Sequence, residues 1–499
     1  MIRPRRPVAV LGLAVLLAAC SSVPEYAEPE LPAQWFSRSQ SASVAPQALA
    51  AWWQMFDDPT LTRLVSRAME RNPDVELAML QVSTARAQLR QSRAALLPSI
   101  DLPGSASRQR IENDRDVPPG PLQDLGLDDD IRIENWELAL QASWELDLFG
   151  ATRARNQAAA HQLRSAEAEA IAARLAVVAN TAQAYIQLRA LQNQRQLLVE
   201  GMALAAELER IANLLFEAGE VTRLDVESAA AEHATLRADL SELDLNLAQA
   251  ALALDTLLAQ PPGTSAGELS GPAGVPLAKG PIPAGQPLDL LRRRPDLIAE
   301  AARLDSAESQ SLAARRDLFP TLAIQAALGR SGMALNNELS SVSNFTRLGA
   351  TFGLPIFDFG RRRSAIELAD VAGETSYVAF RAALGDALEQ VERGLAGVDG
   401  QRQRLAALQQ MRAHYQRSQE LADTSYRLGE ANLQEVLNAQ RGLLQARQRQ
   451  LSGRTELATA QVALFVALGG GWQPDPAPAT SEAGNAPGLG QTLNSAAAR

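Results

Sequence analysis

Two stretches of the chain alternate between apolar and polar residues, a pattern typical of β-strands whose two faces meet different surroundings. From residue 136 to residue 146 every even position is apolar, and every odd position is polar except Ala139. From residue 348 to residue 356 every even position is again apolar, against Arg347, Gly349, Thr351 and Gly353. A weaker alternation precedes each stretch, at residues 322–328 and at residues 100–102, where Pro103 interrupts it. The pattern therefore predicts four strands in two pairs.

Long segments without proline follow each predicted strand pair. The chain has 27 prolines, yet none lies between Gly150 and Gln260 or between Ile356 and Gln473. Proline inside a helix costs roughly 3 kcal/mol, so these spans favour helix. Heptad spacing, typical of a seam with a neighbouring helix, connects Leu384, Leu388, Val391, Leu395 and Val398.

One glycine in each long segment suits a turn between two helices. Gly219 follows Gly150 by 69 residues, and Gly429 follows Gly360 by the same number. Each span predicts a helix of about 100 Å, ending at a glycine in the left-handed conformation. A cap residue with an acidic partner three positions later follows each turn: Thr222 with Asp225, and Asn432 with Glu435. The sequence thus predicts two antiparallel helical hairpins.

The predicted elements occur twice along the chain. Pro73-Asp74 recurs as Pro295-Asp296, an offset of 222, whereas Gly219 recurs as Gly429, an offset of 210. The first copy therefore has twelve extra residues, which fall around an acidic loop at 112–130. The predicted segments are a signal peptide (1–19), a lipidated N-terminal segment (20–72), a first repeat (73–260), a Pro-rich linker (261–294), a second repeat (295–472) and a disordered tail (473–499).

The N-terminus has the charge order of a secretion signal. Three arginines precede a short apolar stretch at residues 8–19, which is too short to span a bilayer. It ends in Leu17-Ala18-Ala19-Cys20, which resembles a bacterial lipobox and predicts a lipid bound covalently to Cys20. Ser21 after the cysteine favours export to the outer membrane. The alternative is an ordinary buried cysteine.

Composition excludes several classes of function. A net charge of −10 argues against nucleic acid, whose phosphates need a basic face. One cysteine and three histidines argue against a His/Cys metal site, and no residues form a recognisable catalytic constellation. We therefore expect no enzyme, no cofactor beyond the lipid and no metal. The chain also lacks a phosphate-binding loop, so any driving force must come from partners.

Strands of this kind suit a lipid environment. Alternation over about ten residues is typical of barrel strands with apolar side chains outward and polar side chains toward a lumen. A soluble sandwich alternates equally well, but the lipobox and the long hairpins favour the membrane. Four strands cannot enclose a channel, since about eight is the minimum. The chain is therefore expected to pool its strands with copies of itself.

With these features together, the chain resembles the TolC-like outer membrane factors, and within them the lipidated NodT-like efflux branch. The resemblance rests on the lipobox, residues 144–150 (Trp-Glu-Leu-Asp-Leu-Phe-Gly), residues 293–297 (Arg-Arg-Pro-Asp-Leu) and the two glycine turns. It implies an α+β membrane protein, a homotrimeric outer membrane channel. Each chain would supply four β-strands to a shared twelve-stranded barrel and long antiparallel coiled-coil hairpins to a periplasmic tunnel.

The resemblance also implies a gate at the periplasmic end of the tunnel. Asp225 and Tyr426 lie where the family places a closing hydrogen-bond network. The arginine usual two residues after the second turn is Ala431 here, so that salt link is missing or Arg427 replaces it. Asn438 stands where the family often has a ring of aspartates, and we hypothesise that Glu435 supplies the acidic ring. Alternatively, Asp225 and Glu435 only cap their helices.

The turns are also the implied site of contact with partners. The contact residues would be Gly219, Val221, Thr222, Gly429, Ala431 and Asn432. The resemblance implies a periplasmic adaptor and an inner-membrane pump of the RND type, with passive export of small molecules such as drugs, solvents or metals. The channel of a type I protein-secretion system shares the fold and stays an alternative, as does a non-conducting coiled-coil spacer.

Overall fold

A computed structural model describes residues 26–27, 30–37, 47–112, 130–271, 273–335 and 338–473. The predicted signal peptide, the lipidated Cys20, nearly all of the acidic loop and nearly all of the C-terminal tail lie outside these residues. Among the described residues, no helix combines the length and apolarity needed to cross a membrane.

The helices repeat in length as well as in sequence. Their bounds are α1 Gln47–Ala50, α2 Pro59–Arg71, α3 Pro73–Ala94, α4 Ala151–Glu217, α5 Arg223–Leu257, α6 Thr264–Glu268, α7 Leu290–Arg293, α8 Pro295–Arg316, α9 Arg361–Arg427 and α10 Leu433–Ala467. The long helices α4 and α9 each have 67 residues, and their partners α5 and α10 each have 35. At ~1.5 Å per residue α4 and α9 each run about 100 Å, which confirms the two long hairpins.

One antiparallel sheet contains all the described strands. Their bounds are β1 Ser99–Asp101, β2 Gly104–Glu112, β3 Asp130–Leu146, β4 Thr321–Leu335 and β5 Glu338–Gly353. Both β1 and β2 pair with β3, which pairs with β4, which pairs with β5. The break between β1 and β2 falls at Leu102-Pro103, so five segments fill the four predicted strand positions. β3 begins six residues before Trp136, where Ile131 and Ile133 place the apolar residues at odd instead of even positions.

Internal contacts divide the chain into two compact units. The first contains Tyr26 and the described residues within 84–163 and 303–377, and it holds the whole sheet. The second contains the described residues within 27–83, 164–302 and 378–473. Each unit thus takes elements from both sequence repeats.

Large side chains on the apolar face of the sheet in the first unit are exposed among the described residues. Trp144 is 39% exposed, Leu328 60% and Leu348 78%. The cross-strand row Trp144–Ile324–Ala350 is apolar, and so is the row Leu146–Leu322–Phe352. Burying such side chains would stabilise the protein by about 25 cal/mol per Å², so this face is suited to an apolar environment.

Aromatic rings form the core of the second unit. Trp52 stacks on Phe465 of α10 with ring centroids 5.3 Å apart, and Phe56 packs against both rings. The linker (residues 261–294) is bound to the helices by side chains. Arg189 of α4 donates to the carbonyls of Leu269 and Gly271, at 3.2 and 2.8 Å. Buried carbonyls of an irregular segment need such donors.

Candidate functional site at the hairpin tips

Two turns with the same geometry form the tips of the hairpins, at residues 219–222 (first tip) and 429–432 (second tip). Gly219 and Gly429 both have φ of +77°. In the first tip the N–H of Gly219 donates to Phe216 and that of Glu220 to Leu215, at 2.9 and 2.8 Å. These two bonds define a Schellman motif, which requires a left-handed residue and therefore favours glycine.

The caps differ between the two tips. Thr222 Oγ1 accepts from the N–H of Asp225 at 3.3 Å, and Asp225 Oδ2 accepts from the N–H of Thr222 at 2.9 Å. Asn432 Oδ1 accepts from the N–H of Glu435 at 2.9 Å, but no return bond forms within the described chain. Hydrogen bonds from Thr222 lower the pKa of Asp225. The first tip is therefore the more fully capped.

Tyr426 packs against a cluster of buried side chains near the tips. The cluster consists of Leu208, Ala212, Val226, Ala229, Leu433 and Leu437, and so joins both hairpins. Neither the Tyr426 hydroxyl nor the Arg427 guanidinium has a hydrogen-bonding partner among the residues that the structure describes. The Asp225 carboxylate is engaged by Thr222. The predicted network between Asp225 and Tyr426 is thus not formed inside one chain, and it stays a prediction for the assembled tunnel.

The two residues of the hypothesised pore ring lie on the exposed side of α10. Glu435 and Asn438 are both exposed, whereas Val436 and Leu437 between them are buried. Gln434 Nε2 donates to Asn438 Oδ1 at 3.2 Å. Within the described part of the chain, the Glu435 carboxylate forms no ion pair. An exposed, uncompensated carboxylate attracts cations, which is the property that the acidic-ring hypothesis requires of Glu435.

Exposed leucines beside the tips were missed by the sequence analysis. Leu224 is 74% exposed and Leu428 68%. Among the predicted contact residues, Gly219, Thr222, Gly429 and Asn432 are exposed, while Val221 and Ala431 are half-buried. Both leucines lie within five residues of a tip glycine, and this proximity in the sequence could have identified them as candidate contact residues. Each tip therefore carries an apolar side chain beside its polar turn.

Side chains of the two hairpins meet above the tips. Arg441 Nε of α10 lies 2.7 Å from Glu232 Oε2 of α5. Leu444 approaches Gly201 so closely that a Cβ there would lie 3.1 Å from its Cδ2. Small residues at such positions allow helices to approach closely. In the described residues, no group of His, Cys, Asp and Glu side chains could hold a metal ion.

The fold and the tips define a class of protein: a channel-forming chain with one antiparallel sheet and two long helical hairpins. The chain belongs to the outer membrane efflux protein family, whose model matches residues 64–260 and 287–470. The resemblance inferred from the residues is thus confirmed for the family. Its members are passive channels and not enzymes, so this chain is an outer membrane efflux channel protein.

Outer membrane efflux and export proteins of Pseudomonas resemble the chain over nearly its whole length. The pyoverdine export outer membrane protein OpmQ of Pseudomonas aeruginosa is 30% identical over 471 residues, which cover 94% of this chain and 97% of OpmQ. The probable efflux pump outer membrane protein TtgC of Pseudomonas putida is also 30% identical, over 93% of this chain and 96% of TtgC.

Solved channels share the fold. The outer-membrane channel OprN superposes with a TM-score of 0.81 and 27% identity, over 91% of this chain and 100% of OprN. The CmeC outer membrane channel of Campylobacter jejuni gives 0.79 and 25%, over 92% of this chain and 96% of CmeC. These similarities confirm the predicted α+β channel fold.

Proposed function

We propose that three copies of this chain form one passive duct through the outer membrane, as the outer component of a tripartite pump. A periplasmic adaptor and an inner-membrane RND-type pump would complete it. The observation that carries this proposal is the sheet: its apolar face is exposed, and the edges formed by β1–β2 and by β5 have no strand beside them within the described chain.

Open edges and an uncovered apolar face are unfavourable for a single chain in water. Unpaired edge groups are templates for further strands, and exposed apolar patches mark association or membrane surfaces. Three copies would supply twelve strand positions, enough for a barrel with room for a pore. Two copies would give eight, whose interior would be filled by side chains.

The cargo we propose is a small molecule. OpmQ is named for pyoverdine export, and TtgC as a probable efflux pump component. The face opposite the apolar rows bears small and polar side chains, including Gln141, Ser143, Gln325 and Thr351. Such a lining would pass many polar solutes. We also propose that a lipid on Cys20 anchors the chain and that Asp225, Tyr426, Glu435 and Asn438 belong to a periplasmic gate.

The proposal is tested on the full-length chain purified from the outer membrane of its native host. Native mass spectrometry should give a trimer, and planar-bilayer recordings should show ion conductance. Deleting the gene should increase susceptibility to drugs or solvents. A water-soluble monomer without conductance would overturn the proposal, and loss of secretion of a polypeptide with unchanged susceptibility would favour the type I alternative. Labelling with radioactive palmitate should be lost in Cys20→Ala.

A further inference from the structure

The two strand pairs of the chain have the same register. In the first pair Ser99 faces Ser143. Moving Ser99 by the repeat offset of 222 and Ser143 by the offset of 210 gives Thr321 and Gly353, which face each other in the second pair. The sequence duplication is therefore also a duplication of strand pairing, residue by residue, up to the irregularity at Met333/Ala334.

The two repeats join each other at the boundary between β3 and β4. Trp144 faces Ile324, and Leu146 faces Leu322. Just beyond the strands, Phe149 stacks on Phe319 with ring centroids 4.9 Å apart and an interplanar angle of 13°. This boundary pairs the second strand position of the first repeat with the first strand position of the second repeat.

Adding 210 to the β3 residues of this boundary and subtracting 222 from its β4 residues gives equivalent pairs. A single chain cannot bring these pairs together. The equivalents of Trp144 and Ile324 are Leu354 and Leu102, and those of Leu146 and Leu322 are Ile356 and Ile100. These equivalents lie at or just beyond the ends of strands on opposite edges of the sheet. We propose that the β5 edge of one copy joins the β1–β2 edge of the next in this register, with Leu354 facing Leu102 and Ile356 facing Ile100.

The exposed side chains agree with this register. Ile356 is 89% exposed and Phe359, the equivalent of Phe149, is 92% exposed. Leu97, the equivalent of Phe319, is 67% exposed. Phe359 meets Phe357 edge-on, with ring centroids 4.7 Å apart, but it stays exposed among the described residues. Mostly exposed apolar side chains thus occupy the positions equivalent to a packed boundary, so the Phe359 ring of one copy packs on Leu97 of the next.

A contact between α4 and α8 of the same unit supports the same junction. Ala158 of α4 is buried, and its carbonyl accepts from Ser306 Oγ of α8 at 3.1 Å. The equivalents are Leu368 of α9 and Thr84 of α3. Leu368 is 73% exposed. In the proposed junction Leu368 is covered by α3 of the neighbouring copy, as Ala158 is covered by α8 within the chain.

The backbone of the edge is free to pair despite its proline. The Pro103 carbonyl accepts from the N–H of Ala139 at 3.2 Å, so the polar groups of Pro103 face β3. Because these groups alternate in direction along an antiparallel strand, those of Leu102 and Gly104 point to the open edge. The lack of an N–H on Pro103 therefore removes no hydrogen bond from the proposed junction.

The inference rests on the proposed trimer and names how its copies meet. It is tested by disulfide cross-linking in the full chain, with Ile356→Cys and Ile100→Cys combined. Facing residues in paired strands have the Cα separation that a disulfide needs. We expect oxidation in the membrane to give a band at about three times the monomer mass on non-reducing gels, because each chain carries both halves of the junction.

Two matched pairs serve as controls. Ile356→Cys with Leu102→Cys lies on the same face but two residues out of register, where Cβ atoms are ~7–8 Å apart, and it should cross-link several-fold less. Ala142→Cys with Ala326→Cys faces across β3 and β4 and should close within the monomer. A stronger trimer band from the shifted pair would overturn the proposed register. So would the absence of a cross-linked band in trimers that still conduct ions. Neither result would overturn the proposed function. Absence of any trimer would overturn the proposed function as well.

Discussion

Gln461 and Ala278 hold each other through two hydrogen bonds, although they lie in a helix and in the linker. Gln461 Oε1 accepts from the N–H of Ala278 at 3.0 Å, and its Nε2 donates to the Ala278 carbonyl at 3.1 Å. The Gln461 side chain is almost fully buried in α10. The side-chain amide of Gln461 thus satisfies both backbone polar groups of Ala278, as a neighbouring β-strand would.

Replacing Gln461 with leucine should destabilise the protein. Leucine has a similar size but would leave two buried backbone groups of Ala278 without partners, at about 1–3 kcal/mol for each. Thermal unfolding in detergent, followed by circular dichroism, should show a lower midpoint. Gln445→Leu on the exposed side of the same helix is the control and should change stability by no more than ~0.5 kcal/mol. Equal midpoints for the two variants would contradict the role of the buried amide.

Glu308 should make stability depend on pH. Burial, assisted by the negative charge of Asp305, raises the pKa of the Glu308 carboxyl from 4.5 to about 7. The folded state therefore binds this proton more tightly than the unfolded state does. Its contribution is most favourable below pH 4.5 and is lost as the pH rises through about 7. We expect Glu308→Gln to raise the unfolding midpoint at pH 8 more than at pH 5.

The matched control for Glu308 is Glu367→Gln, which removes an exposed carboxylate on α9. It should leave the difference between the midpoints at pH 5 and pH 8 as in the wild type. If Glu308→Gln also left that difference unchanged, the buried carboxyl would not be the source of the pH dependence.

Removing the cap of the first tip should loosen the start of α5. Thr222→Ala deletes the side-chain half of the capping box, which is worth about 1 kcal/mol, or roughly a fivefold change in local opening. Hydrogen exchange of the amide of Asp225 should accelerate by about that factor. Thr222→Ser keeps the hydroxyl and should exchange like the wild type. Unchanged exchange in Thr222→Ala would show that the cap is dispensable.

Substitution at Gly219 should separate backbone strain from contact with a partner. A Cβ at Gly219 would meet no described residue within 4 Å, so the restriction seen at this position is its φ of +77°. Asparagine tolerates this conformation, whereas tryptophan adds bulk as well as strain. We expect Gly219→Trp to abolish efflux while trimers persist in the membrane, and Gly219→Asn to retain most efflux. Wild-type drug susceptibility in Gly219→Trp would count against an adaptor contact.

Neutralising Glu435 should change the ion preference of the channel. Three exposed carboxylates at one level of a pore would favour cations, so Glu435→Gln should reduce the cation-to-anion permeability ratio in planar bilayers. Glu430→Gln removes an exposed charge of the second tip and serves as the control. A permeability ratio and conductance unchanged by Glu435→Gln would end the acidic-ring hypothesis.

Local signals were sufficient for the helices and their turns. α4 and α9 end two residues before Gly219 and Gly429, as predicted. Thr222 and Asn432 both cap the next helix, but the acidic partner returns a bond only at the first tip. Helix ends depend on residues three or four positions apart, so the sequence contains what determines them. Strand starts were less clear, because the alternation changes phase at the start of β3 and is interrupted by polar residues in the first part of β5.

Contacts between residues distant in sequence were not predictable from spacing. The binding of Ala278 by Gln461, the raised pKa of Glu308 and the exposure of Leu224 depend on which surfaces meet in three dimensions. Hydrophobic periodicity and repeat offsets follow from the order of residues alone, and they determined the helices, the strand faces and the duplication. Partner choice is settled by packing and by the need of each buried polar group for a hydrogen bond, and those requirements are met only in the folded chain.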